Sequence, residues 1–151
     1  MQRAYEVKRE GLVISTDPER LDLDAITDML TRAYWASGRP RERTERAIRN
    51  SLVFGVYDGD RQIGMARVVS DYAIFAYLCD VFILEEYRGR GLGKWLMEAV
   101  FSHPDLQGLR RWVLATKDAH GLYRQFGFDG LANPAGWMEM FRPFPGEGRD
   151  S

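Results

Sequence analysis

The stretch 75–94 constrains this chain more than any other. Residues 75–84 carry one charge, Asp80, among apolar and aromatic neighbours. Near-continuous apolar character at strand length predicts a strand covered on both faces, hence central in a sheet. Three glycines follow at once, Gly89, Gly91 and Gly93, and then a helix over 91–102 with Leu92, Leu96, Ala99 and Val100 on one face. Glycines permit unusual backbone angles and close approach of another group to the main chain. The first N–H groups of the helix lack internal partners and sit at the positive end of its dipole. Arg88, Arg90 and Lys94 surround them. A strand delivering the chain into such a turn makes an anion site suited to a phosphate or pyrophosphate. The alternative is a tight strand–helix turn with incidental arginines.

The rest of the chain supplies a frame for this segment. A strand is predicted over 5–16, then a helix capped by Asp22 or Asp24 with Ile26, Met29, Leu30, Ala33 and Tyr34 at helical spacing. Gly38 and Pro40 end it, and a shorter helix follows over 41–50. Two strands, 52–57 and 62–71, flank the turn Asp58-Gly59-Asp60 as a hairpin. Beyond the central strand and its helix come a strand at 111–115, a short helix at 118–126 ended by Gly127, and a last strand at 136–142. The order β-α-α-β-β-β-α-β-α-β predicts an α/β (α+β) fold: a mixed central sheet with helices on both sides. Residues 1–142 form one domain, and 143–151 read as a frayed tail.

Composition narrows the function classes. The 151 residues hold 21 Lys plus Arg against 22 Asp plus Glu, for a net charge of −1. That balance argues against a nucleic-acid surface, which shows a basic excess. Of the 21 cations 18 are Arg, and Arg39, Arg41, Arg43, Arg46 and Arg49 fall within eleven residues; Glu42 and Glu45 interrupt them, as on a solvated helix face. With 45% hydrophobic residues the chain is not disordered. No uncharged run approaches the roughly 20 residues of a membrane helix, and the charged N-terminus has no apolar signal core, so a cytoplasmic location without membrane attachment is expected. The single cysteine, Cys79, excludes an internal disulfide and gives no zinc constellation, so no metal is expected.

Two familiar phosphate loops fail. Gly93-Lys94 is followed by Trp95 where a Walker loop needs Ser or Thr, and a dinucleotide fingerprint would need glycine at Lys94. Arg88-x-x-Gly91-x-Gly93 after a strand and hairpin instead resembles the acetyl-CoA signature of the GNAT superfamily of N-acetyltransferases. Downstream, Ala119-His120-Gly121-Leu122-Tyr123-Arg124-Gln125-Phe126-Gly127-Phe128 is similar to that family's short helix and its following Gly-Phe. Roughly residues 8–142 fit the family's element order. Two positions depart from it: Glu85 stands where members often have proline, and Thr116 where they often have asparagine.

The resemblance implies an N-acetyltransferase that moves the acetyl group of acetyl-CoA, its co-substrate, directly to a primary amine, more naturally that of a small molecule. Val81, Phe82 and Ile83 would pair with the pantetheine arm. The pyrophosphate would rest on the loop Arg88, Gly89, Arg90, Gly91, Leu92, Gly93 and Lys94. A backbone N–H near Val81 or Phe82 would stabilise the oxyanion. Tyr123 matches the tyrosine that protonates the departing thiolate; read by periodicity alone it is a core residue beside Ala119 and Phe126. Asp80 is the candidate base, because burial would raise its pKa. Alternatively it holds a loop by hydrogen bonds. Asp71, Tyr72 and His120 are weaker candidates, and Cys79 is expected to be a small core residue. Tyr34, Trp35 and the arginine cluster are the acceptor-side candidates. The partners are thus a small-molecule amine, with no nucleic acid and no membrane, and a second copy of the chain as a homodimer is admitted. The rival from another class is an acyl-CoA-binding sensor without turnover.

Overall fold

The computed structural model describes residues 3–36 and 38–146. Six strands form one sheet in sequential order. The first two, β1 (Glu6–Arg9) and β2 (Leu12–Ser15), pair antiparallel where one strand was expected over 5–16. Glu10 and Gly11 both take positive φ, 49° and 83°, which closes a two-residue turn.

The first helix, α1 (Leu23–Thr31), starts where the Asp22 side chain accepts the Ala25 N–H at 3.0 Å. Ile26, Met29 and Leu30 are its buried stripe. It ends before Tyr34, earlier than the periodicity predicts, because side-chain contacts of Tyr34 and Trp35 described below draw the chain away. The second, α2 (Arg41–Arg49), follows Pro40.

Strands β3 (Leu52–Asp58) and β4 (Arg61–Ser70) form the expected hairpin. Consecutive residues Val53 to Tyr57 and Gln62 to Ala66 are buried, so helices cover both faces there. α1 packs on β4 and β5 (Phe75–Ile83), while α3 (Leu92–Ser102) packs on β3 and β5. β5 itself is only half covered over its first residues: Phe75 and Tyr77 are exposed and Ala76 and Leu78 buried, which corrects the expectation of a strand buried on both faces throughout. β6 (Arg111–Val113) adds in parallel, and α4 (His120–Arg124) ends at Gly127, φ 98°. No strand forms over 136–142. β6 offers an edge of only three residues, and Met138 and Met140, 95% and 79% exposed, gain no burial by pairing there. Among the described residues no helix is long and apolar enough to cross a membrane.

Two features of the sheet shape the site. β5 and β6 pair only from Phe75 with Arg111 to Tyr77 with Val113; beyond Tyr77, β5 has no strand on that edge. On its other edge the register with β4 slips by one residue: Arg67 faces Cys79 but Met65 faces Phe82, so Asp80 and Val81 together oppose Ala66. Asp80, at φ 49°, is the extra residue of this β-bulge.

Gly64 keeps this region close-packed. A Cβ there would sit 2.8 Å from the Phe82 carbonyl oxygen and 2.7 Å from Ile83 Cδ1. Gly64→Val is expected to cost about 1–3 kcal/mol by overpacking and to lower the Tm by several degrees in thermal unfolding followed by circular dichroism; an unchanged Tm would contradict this packing.

Candidate active site

The glycine loop folds as its composition requires. Gly89 and Gly91 take φ of 80° and 75°, values that L side chains adopt only under strain. Gly91 is the N-cap of α3 and has no side chain to cap it, so the first helical hydrogen bond is Trp95 N–H to Gly91 O. The N–H groups of Leu92, Gly93 and Lys94 are left without a protein acceptor among the described residues. A short turn, Glu85–Tyr87, anchors the loop from below. Tyr87 Oη donates to Asp58 at 2.6 Å, and Arg61 pairs with Glu86 at 3.0 Å, tying the loop to the β3–β4 hairpin. Arg90 and Lys94 are exposed beside the cradle, with the Arg90 guanidinium over the Tyr87 ring. Arg88 is partly committed: its Nε donates to Ile83 O at 2.8 Å and its guanidinium lies over Phe82. This donor set, cationic and rich in free N–H groups, fits a pyrophosphate.

Val81, Phe82 and Ile83 lie where β5 has lost its neighbour on one side, as a pairing role for an extended ligand requires. The Ile83 carbonyl already accepts from Arg88, and the β4 ladder runs along the other edge of these residues. Across the opening, α4 meets the start of α3: a Cβ on Gly93 would touch Leu122 at 3.9 Å. Tyr123, 7% exposed, lines a cleft of about 450 Å³ with Trp112, Thr116 and His120 among its walls. Burial pushes its phenol up to about 12, with Tyr34 and Asp118 adding smaller contributions. Thr116, the residue in place of the family's asparagine, accepts the Ala119 N–H through Oγ1 at 3.0 Å and so starts α4.

Asp80 is buried, 4% exposed, but its surroundings reverse the expected shift. Burial, the largest single influence, would raise its pKa; the hydrogen bonds and charges of Arg39 and Arg67 outweigh it and hold the carboxyl below the ordinary range. Arg39 binds both oxygens at 2.9 and 3.2 Å, Arg67 Nε donates at 2.9 Å, and Trp35 Nε1 donates at 2.9 Å. A carboxylate held as an anion by four donors lacks the raised pKa on which its role as base was argued. Arg39 likewise leaves the solvated helix face predicted for the cluster, whereas Arg41, Arg43, Arg46 and Arg49 stay exposed. Sequence reasoning missed Arg67 altogether, since nothing local distinguishes it.

The weaker candidates separate. Asp71 and Tyr72 sit in the β4–β5 turn, at the far end of a nine-residue strand from the glycine loop. Asp71 accepts the N–H groups of Ile74, Ala73 and Phe75, which lowers its pKa and shapes the turn. Cys79 is partly buried, and burial pushes its thiol up to about 12, which makes it inert as a nucleophile. His120 shares the Tyr123 cleft. Among the described residues no cluster of His, Cys, Asp or Glu is placed to hold a metal.

The proteins this chain is similar to are named acetyltransferases, and the chain is an acyltransferase. The sequence pattern of the GNAT acetyltransferase family matches residues 23–128, and the chain belongs to that family. Members of the family use acetyl-CoA. A Gibberella zeae protein named as an acetyltransferase is 33% identical over 138 residues, 76% of this chain and 77% of that one. A Glycine max protein named histone acetyltransferase is 31% identical over 87% of this chain and 61% of its own length. A crystal structure of a protein described as a GNAT-family acetyltransferase from Xanthomonas campestris pv. campestris superposes with TM-score 0.85 at 51% identity, covering 87% of this chain and 94% of that one.

Asp80 also ties stability to pH. Its native pKa lies below the unfolded value of about 3.9. Its pairing therefore stabilises the fold fully above that value and is lost as pH falls through the native pKa. The Tm gap between the wild type and Asp80→Asn is expected to be widest near neutrality and to narrow below about pH 4; a gap constant with pH would show that the charge of Asp80 contributes nothing.

Proposed function

We propose that the chain transfers the acetyl group of acetyl-CoA directly to a primary amine of a small molecule. The observation that carries this reading is the edge of β5 left open beyond Tyr77, with the anion cradle at its end and α4, the helix of Tyr123, packed against the start of α3. Acetyl-CoA supplies a thioester whose carbonyl carbon accepts the amine nitrogen. The N–H groups of Leu92, Gly93 and Lys94, with Arg90 and Lys94 beside them, hold its pyrophosphate. The backbone of Val81, Phe82 and Ile83 orients the pantetheine arm, and a backbone N–H at Val81 or Phe82, next to the bulge that interrupts the ladder, stabilises the oxyanion.

As nitrogen bonds to carbon, the carbon–sulfur bond breaks and the sulfur needs a proton. Tyr123 is the proposed donor. A phenol at about 12 is fully protonated at neutral pH. Its acidity is not far from that of a thiol in the same kind of apolar surroundings, since burial carries Cys79 to about 12 as well. The edge-to-face pair Tyr34 and Trp35 is the proposed acceptor side, where aromatic faces would receive an apolar or cationic amine.

The raised pKa of Tyr123 also supports a second reading, an acyl-CoA-binding sensor without turnover, because a weaker acid is a poorer proton donor. Release of free thiol from acetyl-CoA over a panel of amines separates the two: transfer to at least one amine supports the enzyme, and tight binding with no release supports the sensor. Tyr123→Phe is expected to lower kcat about 100-fold while leaving the acetyl-CoA KM within about twofold; an unaltered kcat across the pH range would remove its acid role. Gly91→Val, strained at φ 75°, is expected to weaken acetyl-CoA binding first, read as a loss of the thermal shift that acetyl-CoA gives the wild type.

A further inference from the structure

We propose that Asp80 is a positioning residue: its carboxylate clasps the loop between α1 and α2 across the opening of β5 and β6, and under the acetyl-transfer reading that loop is the wall on the acceptor side. The loop is tied at two places. On the β5 side, Trp35 Nε1 donates to Asp80 Oδ1 at 2.9 Å and Arg39 grips both oxygens. On the far side, Tyr34 Oη accepts the N–H of Lys117, just past β6, at 3.0 Å, and the Lys117 ammonium lies 5.1 Å from the Tyr34 ring. Tyr34 and Trp35 meet edge to face at 5.2 Å, and the Trp35 ring reaches toward Phe82 at 6.5 Å. One short aromatic step therefore spans the gap that opens where β5 and β6 stop pairing.

Only an acceptor-only group serves at this point. Four N–H donors converge on two oxygens, from Trp35, Arg39 and Arg67. Arg67 donates in turn to Ser51 Oγ at 3.1 Å, so the same carboxylate also fixes β4 against the turn after α2. The side chains of Asp80, Arg67 and Arg39 are 2%, 13% and 17% exposed, so the pairing is shielded from solvent. An amide in place of the carboxylate would turn its own N–H groups toward these donors and release one side of the loop. The bulge makes the arrangement possible, because the extra residue aims the Asp80 side chain at the loop. The other titratable neighbours, Tyr77 and Cys79, are both raised by burial and stay protonated near neutrality.

The test reads the clasp with and without catalysis, since only its kinetic arm rests on the acetyl-transfer reading. Amide hydrogen exchange over residues 33–36 is expected to accelerate about tenfold or more in Asp80→Asn, for loss of a hydrogen bond to a charged group, with exchange at the start of α3 unchanged. Trp35→Phe keeps both ion pairs and removes only the Nε1 bond, so it folds if Asp80→Asn does not, and it is expected to show the same local acceleration. In thiol-release assays both variants are expected to raise the acceptor KM about tenfold, leave the acetyl-CoA KM within about twofold, and keep the acidic limb of the pH–rate profile in place. Unchanged exchange over 33–36 in either folded variant overturns the clasp. Loss of the acidic limb in Asp80→Asn with an unaltered acceptor KM overturns it in favour of a base. A wild type that transfers to no amine defeats the transferase reading alone, and the exchange result still decides the clasp.

Discussion

One extra residue in β5 organises the site. Without it, alternation would carry residues 79–83 in step with β4, and Asp80 would face the side where its neighbours are apolar. With it, the strand twists at Asp80 and Val81, which both oppose Ala66. A positive φ at a residue other than glycine is uncommon, and aspartate is among the side chains that tolerate it best. The same residue type thus meets two demands: a left-handed backbone at the bulge and an anion for the arginines that close on it. Beyond the bulge the strand leads into Leu84 and the glycine loop, so cradle, open edge and loop anchor are set by one short segment.

Charge is distributed by the same logic. The net charge of −1 averages over a cationic loop at Arg88, Arg90 and Lys94, a buried cluster with two guanidinium groups on one carboxylate, and acids committed to turns and hairpins. The preference for arginine over lysine follows from what these groups do. Arg39 binds a carboxylate in a fork, Arg88 bonds a carbonyl while stacking on Phe82, and Arg90 stacks on Tyr87. A flexible ammonium would satisfy none of these geometries as well.

What was legible in the sequence was local. The glycine loop could be read because Gly89 and Gly91 need backbone angles that other residues resist, and the start of α1 because Asp22 caps it within its own turn. The turn at Glu10 and Gly11 carries the same kind of signal inside the stretch 5–16 that reads as one strand. The end of α1 was not legible, since Tyr34 keeps helical spacing and leaves the helix only for a partner 83 residues away. Asp80 was found as an isolated charge in an apolar strand. Its role could not be found, because its partners Trp35, Arg39 and Arg67 lie 45, 41 and 13 residues distant and only the folded sheet brings them together.

Under the proposed acetyl transfer, the cationic surplus of that cluster would bear on how an acceptor amine loses its proton. Two guanidinium groups share one carboxylate, so one unit of positive charge remains beside the loop between α1 and α2, largely shielded from solvent. A like charge nearby disfavours the charged form of an amine and lowers its pKa. Each unit of that shift raises the neutral fraction of an ordinary amine about tenfold near neutrality. An amine bound beside this loop would thus be favoured in its nucleophilic form before any base acts. Asp80 itself stays bound to its arginines, so its part in the proposed reaction is to hold the loop and not to take the proton.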